Sequence, residues 1–111
     1  MYEFFSVKFL KEVDDFLMEL DKQTKKKVLY NIDRARYTLD PKLFKKLTEE
    51  IWEFRVKYRT IQYRLLAFWD KSDNQETLVI CTHGLIKKTI KTPKNEIIKA
   101  LNIRKRYFNT Q

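Results

Sequence analysis

The chain has 111 residues, 43% of them hydrophobic and 35% charged, and a formal net charge of +9. That length and mixture give one domain, residues 1–111, with enough apolar content for a core and too much of both signs for a disordered polyelectrolyte. One cysteine (Cys81) rules out an internal disulfide, and one histidine beside it cannot supply a zinc centre of the usual ligand count.

Tyr2 to Val7 is short, aromatic and apolar, and reads as a first strand. Leu10, Val13, Leu17 and Leu20 recur at helical spacing among charged neighbours, which predicts an amphipathic helix over about residues 8–20. Asp21 suits the cap of a second helix over about 22–38, carried by Val28, Ile32, Ala35 and Leu39. That helix stops before Asp40-Pro41, and the two helices suggest an antiparallel hairpin.

From Ile51 the period becomes two. Trp52, Phe54, Val56 and Tyr58 alternate with Glu53, Arg55 and Lys57, and Ile61, Tyr63 and Leu65 with Gln62 and Arg64. Residues 70–75 form a turn, and Thr77 to Thr82 is the next strand. These three strands predict an antiparallel meander with one buried face. Thr92 as N-cap and Pro93 at the first helical position then open a last helix, packed through Ile97, Ala100, Leu101 and Phe108. The predicted order is β-α-α-β-β-β-α, an α+β domain with its helices on one face of the sheet.

The positive charge is concentrated. Residues 83–111 carry eight lysines and arginines against Glu96 alone, while the rest of the chain is nearly balanced. Such asymmetry points to a polyanion or an acidic protein as partner, although a solvated basic helix gives the same counts. No apolar run approaches the roughly 20 residues of a bilayer span, and Met1-Tyr2-Glu3 does not read as a basic leader. The expectation is a cytoplasmic protein with no membrane partner.

A single glycine excludes a glycine-rich phosphate loop, and no Ser/His/Asp or Cys/His constellation is apparent. No cofactor or metal is expected. What remains is basic. Arg55 and Arg64 project from the polar faces of their strands and share one sheet face if those strands are neighbours. His83, Lys87, Lys88 and Lys91 come off the end of the third strand beside them. Guanidinium groups hold phosphate with paired hydrogen bonds, and crowded cations lower one another's pKa, so a lysine here suits proton transfer. RNA cleavage needs little more, because the substrate's 2′-hydroxyl is the nucleophile. The candidate catalytic set is Arg55, Arg64, Lys87, Lys88 and His83, with Lys91, Lys94 and Tyr107 as RNA contacts. Plainer readings compete. Arg55 and Arg64 can be cross-strand partners of Glu53 and Gln62, Lys87-Lys88 a solvated loop, and His83 a packing residue. Gly84 most simply marks a backbone conformation closed to other residues.

The ordered motifs Trp52-Glu53-Phe54-Arg55, Gln62-Tyr63-Arg64-Leu65-Leu66, His83-Gly84-Leu85-Ile86-Lys87-Lys88 and Lys91-Thr92-Pro93 resemble the phage Gp49-like, HigB-type branch of the RelE/ParE toxin superfamily. The resemblance covers nearly the whole chain. It departs at Leu85, where the family often has Phe, and around Leu39-Asp40-Pro41, where a glycine-containing loop is missing. It implies a RelE-like fold and the toxin of a type II toxin–antitoxin pair. It further implies a ribosome-dependent, metal-independent endoribonuclease acting on mRNA, neutralised by a cognate antitoxin, often of helix-turn-helix type. It places Arg55, Arg64, Lys87 and Lys88 at the family's basic positions, with Lys91 a looser match. Two alternatives share the fold: a ParE-like inhibitor of DNA gyrase, and an inert module binding RNA or antitoxin.

Overall fold

In the computed structural model, which describes residues 3–72, 77–87 and 91–110, five strands and three helices follow one another in mixed order. They are β1 (Ser6–Phe9), α1 (Lys11–Met18), α2 (Lys22–Tyr37), β2 (Phe44–Lys46), β3 (Trp52–Tyr58), β4 (Ile61–Trp69), β5 (Leu78–Lys87) and α3 (Lys94–Asn109). One sheet holds all five strands in the order β1-β5-β4-β3-β2. Strands β2 to β5 are antiparallel, and β1 joins in parallel with Ser6 opposite Leu78 and Phe9 opposite Cys81.

The expected α+β arrangement is present, with four differences. A short strand, β2, precedes the meander and pairs Phe44 with Phe54 and Lys46 with Trp52. Its Phe44 ring stacks on Phe54 at 4.3 Å and on Trp52 at 4.9 Å, which fixes a segment too short to read from periodicity. Lys8 and Phe9 belong to β1 rather than to the first helix, because their backbones pair with Ile80 and Cys81. The last strand runs on to Lys87, so His83, Gly84 and Lys87 stand on a strand rather than on a short connection. Tyr2 of the predicted first strand and residues 73–75 of the predicted turn lie outside the described residues.

The fourth difference is the placement of the helices. Val13 and Leu17 of α1 and Val28, Ile32 and Ala35 of α2 pack on one side of the sheet with Phe54, Val56, Tyr63, Leu65, Val79 and Cys81. Helix α3 lies on the other side, where Ala100 joins Leu66, Phe68 and Ile80, with Ile97, Leu101 and Phe108 around them. Helices therefore cover both faces, not one. This is why Tyr63 to Phe68 is buried at every position instead of alternating.

Local chemistry explains the joints. Asp21 caps α2 as expected, accepting from the Thr24 N–H and hydroxyl, each at 2.9 Å. The β3–β4 hairpin turns on Arg59 and Thr60, both with positive φ (51° and 67°), the two-residue geometry that matches strand twist. Neither residue is glycine, so the turn is held against local preference by the strands it joins. Gly84 has no positive φ, contrary to the sequence expectation. Its role is close approach: a Cβ there would meet the Phe16 ring of α1 at 2.3 Å. Cys81 is fully buried, and burial pushes its thiol pKa well above the ordinary value.

Candidate nucleic-acid interface

The tight turn at Arg59-Thr60 fixes the β3–β4 register, and that register sets Arg55 directly opposite Arg64. Opposed residues share a sheet face. In the same row Gln62 opposes Lys87 and Arg64 opposes Leu85, while Lys45 of β2 opposes Glu53. The face carrying α3 therefore also carries Lys45, Glu53, Arg55, Arg64 and Lys87. Arg55 and Arg64 are brought together as the alternation predicted, and Lys87, expected on a connection beyond the strand, joins their face from β5 itself.

Two like charges directly across a strand pair repel. Glu53 answers this. Its carboxylate, 2% exposed, stands 3.5 Å from Arg55 Nε through Oε2 and 3.6 Å from Arg64 Nε through Oε1. It also accepts a 2.5 Å hydrogen bond from the Thr92 hydroxyl. Thr92 is thus spent on the sheet and does not cap α3. Pro93 occupies the cap position, and the helix begins at Lys94.

The two arginines differ. Arg64 is 4% exposed, and its terminal nitrogens donate to the Gln62 side chain at 2.5 Å and to the Tyr63 carbonyl at 3.3 Å. Its pKa is lowered by burial, with Glu53 opposing the shift and Arg55 adding to it. Arg55 is 26% exposed and is held by Glu53 through Nε, its inner edge. Among the described residues its terminal fork meets no carboxylate. Lys87 is buried at 6% exposure. Burial lowers its pKa, and the neighbouring charges of Arg64, Arg55 and Lys45 push the same way against Glu53. A lysine with this bias releases its proton more readily than one in water.

Other candidates lie elsewhere. His83 is buried between β5 and α3, with Nδ1 2.9 Å from the Thr82 hydroxyl and Nε2 3.0 Å from Glu96. A carboxylate only accepts, so Nε2 carries a proton toward Glu96, while the one Thr82 hydroxyl proton lies between Nδ1 and the Leu66 carbonyl at 3.2 Å. Burial holds its pKa below the ordinary value, against Glu96. His83 shares the sheet face of Arg64 through its pairing with Leu66, but its ring is committed to Thr82 and Glu96, which anchors α3 to the sheet. Tyr107 is likewise committed. Its hydroxyl donates to Asp70 at 2.7 Å, and its ring packs edge-on against Phe68 at 5.3 Å. Phe68 is four residues along β4 from Arg64, about 13 Å away. Tyr107 therefore serves α3 docking and not base stacking at this site. Lys91 and Lys94 are exposed where the chain enters α3, and Lys88 lies outside the described residues. The residue the sequence reading passed over is Glu53, named only as an ordinary partner of Arg55. Its signal was a carboxylate inside a strand pair whose polar face is otherwise cationic.

Among the described residues no group of His, Cys, Asp or Glu is arranged to hold a metal, and no helix is long and apolar enough to cross a membrane. No curated sequence matches the chain significantly. A solved structure, the archaeal RelE–RelB complex from Pyrococcus horikoshii OT3, shares the fold with a TM-score of 0.54 at 18% identity, covering 77% of this chain and 97% of that one. The family model for phage-derived Gp49-like proteins matches residues 15–105. With that match spanning most of its length, the chain belongs to the family of phage-derived Gp49-like proteins, on a RelE-like fold.

Proposed function

We propose that this protein is the toxin of a type II toxin–antitoxin pair and acts as a metal-independent endoribonuclease on mRNA at the ribosome. The observation that carries the reading is Lys87: a buried ammonium with a lowered pKa, on the same sheet face as two guanidiniums. Arg55, with its outer fork exposed, grips the scissile phosphate. Arg64 is buried and contributes field rather than direct contact, stabilising charge that builds on the phosphorane. Lys87 takes or returns the proton as the 2′-hydroxyl attacks and the 5′-oxygen leaves. Lys88, Lys91 and Lys94 steer the RNA backbone toward this face.

The RelE–RelB neighbour and the cationic surface support a cognate antitoxin that covers the same face; its helix-turn-helix type and the cytoplasmic setting rest on the sequence resemblance alone. The test is induction in cells with mapping of transcript 5′ ends. New ends within coding sequence, absent for Lys87→Met, are the expected result. Growth arrest with intact transcripts overturns the nuclease reading, and inhibition of purified gyrase in its place establishes the ParE-like alternative.

A further inference from the structure

We propose that Glu53 is a positioning residue, whose buried carboxylate aims the Arg55 fork outward and pins the segment entering α3 to the same spot. This rests on the reading that the Arg55 face receives RNA phosphates.

A carboxylate removed from water must be paired, and Glu53 is paired from three directions. Arg55 follows it by two residues on β3, Arg64 comes from β4, and Thr92 comes from the approach to α3. Both guanidiniums meet it at Nε. That edge is the one a carboxylate can occupy without blocking the fork formed by the two terminal nitrogens. For Arg64 the fork is already consumed by Gln62 and Tyr63. For Arg55 it is left over. One anion therefore sorts two opposed arginines into a buried one and a presenting one.

The same carboxylate takes the Thr92 hydroxyl, a group well suited to capping α3. Lys91 is the preceding residue, so the tie fixes where that lysine's backbone leaves the sheet. The Nε–H of Arg64 is buried and makes no hydrogen bond, lying 3.6 Å from Glu53. The grip is thus ionic and not closed by a hydrogen bond at Arg64 Nε. Active sites without ligand commonly show such long contacts and tighten when occupied. Glu53 does not itself touch substrate. It lies beneath the arginines and carries the sign of the phosphate.

The experiment uses the full chain, with two readouts: turnover of a short mRNA on programmed ribosomes, and the arginine side-chain Nε–H signals of the free protein in nitrogen-15 spectra. Glu53→Asp keeps the charge and moves it by one methylene. Glu53→Gln keeps the shape and removes the charge. With wild-type unfolding temperature for Glu53→Asp, we expect turnover to fall about 100-fold in that variant, the scale of a small misplacement of binding groups. The Nε–H signals of Arg55 and Arg64 are expected to shift or broaden in both variants relative to the wild type. Full turnover in Glu53→Asp, or arginine signals unchanged in Glu53→Gln, overturns the proposal. If Glu53→Gln does not fold, the pair Glu53→Gln with Arg64→Gln removes both buried charges, and its Arg55 signal decides. Should the wild type leave mRNA on programmed ribosomes intact, the nuclease reading fails, and the arginine signals still settle whether Glu53 orders the pair.

Discussion

The ring of Phe16 rests where Gly84 has no side chain, the two lying closer than any Cβ at that position would permit. Helix α1 is seated on β5 through this contact, and β5 carries Lys87 three residues further on. The chain's only glycine thus sets how deeply a helix sinks onto the strand that ends in the basic face.

Gly84→Ala is expected to lose about 1–3 kcal/mol of stability through overpacking, measured by urea denaturation. Combining it with Phe16→Leu should cost less than the sum of the two single changes, because the smaller side chain makes room. Strict additivity would show that the ring is not what the new methyl meets.

His83 sets a pH response. Its folded pKa lies below the ordinary value, so between the two the unfolded chain binds a proton the folded chain refuses. Stability from His83 is complete above the unfolded value of about 6.5 and is lost as pH falls below it. His83→Gln keeps a donor for Glu96 and removes the titration. Its melting temperature should fall less steeply than that of the wild type on acidification from about pH 7 to 5. Parallel curves for the two proteins would refute this.

Lys87 has the same direction of shift but a different window. At neutral pH the unfolded lysine is charged in water, and the folded one is charged where burial and neighbouring cations disfavour it. Lys87→Met should therefore raise stability on the order of 1 kcal/mol near neutrality. That gain should shrink as pH climbs through the lowered folded pKa towards the ordinary lysine range, where both forms become neutral. In the same variant RNA cleavage should drop by about 10²–10⁴-fold, the contribution typical of a positioned acid or base. A variant both stable and fully active would remove Lys87 from the mechanism.

Tyr107→Phe discriminates docking from recognition. It removes the hydroxyl held by Asp70 and leaves the ring on Phe68, so about 1 kcal/mol of stability should go. RNA binding should be unaffected at matched salt. Weakened RNA affinity without loss of stability would return Tyr107 to the interface.

The strands that carry the site were legible because β3 and its turn obey strict alternation, and the same alternation placed Arg55 and Arg64 together. Strand β2 was not, since Phe44-Lys45-Lys46 is too short to show a period and is held by stacking on Phe54 and Trp52. The side chosen by α3 was hidden too: an amphipathic stripe fits either face of a sheet. The uninterrupted run from Tyr63 to Phe68 held the clue that both faces were covered. Thr92-Pro93 read as a cap because local rules favour it, and a carboxylate distant in sequence outcompeted the helix for the hydroxyl. Glu53 looked like one more polar-face residue, because burial of a strand's polar side is decided by what arrives above it.

The parallel alliance of β1 with β5 bears on how the molecule comes into being. A ribosome delivers Ser6 well before its mate Leu78, which follows 72 residues later. Until that central strand emerges, α1 has no floor beneath it and the N-terminal strand has nothing to zip against. Long-range closure of this kind is slow and comes late in folding. Lys87 ends that same strand, so the basic face of a nascent copy is incomplete until that strand has been made.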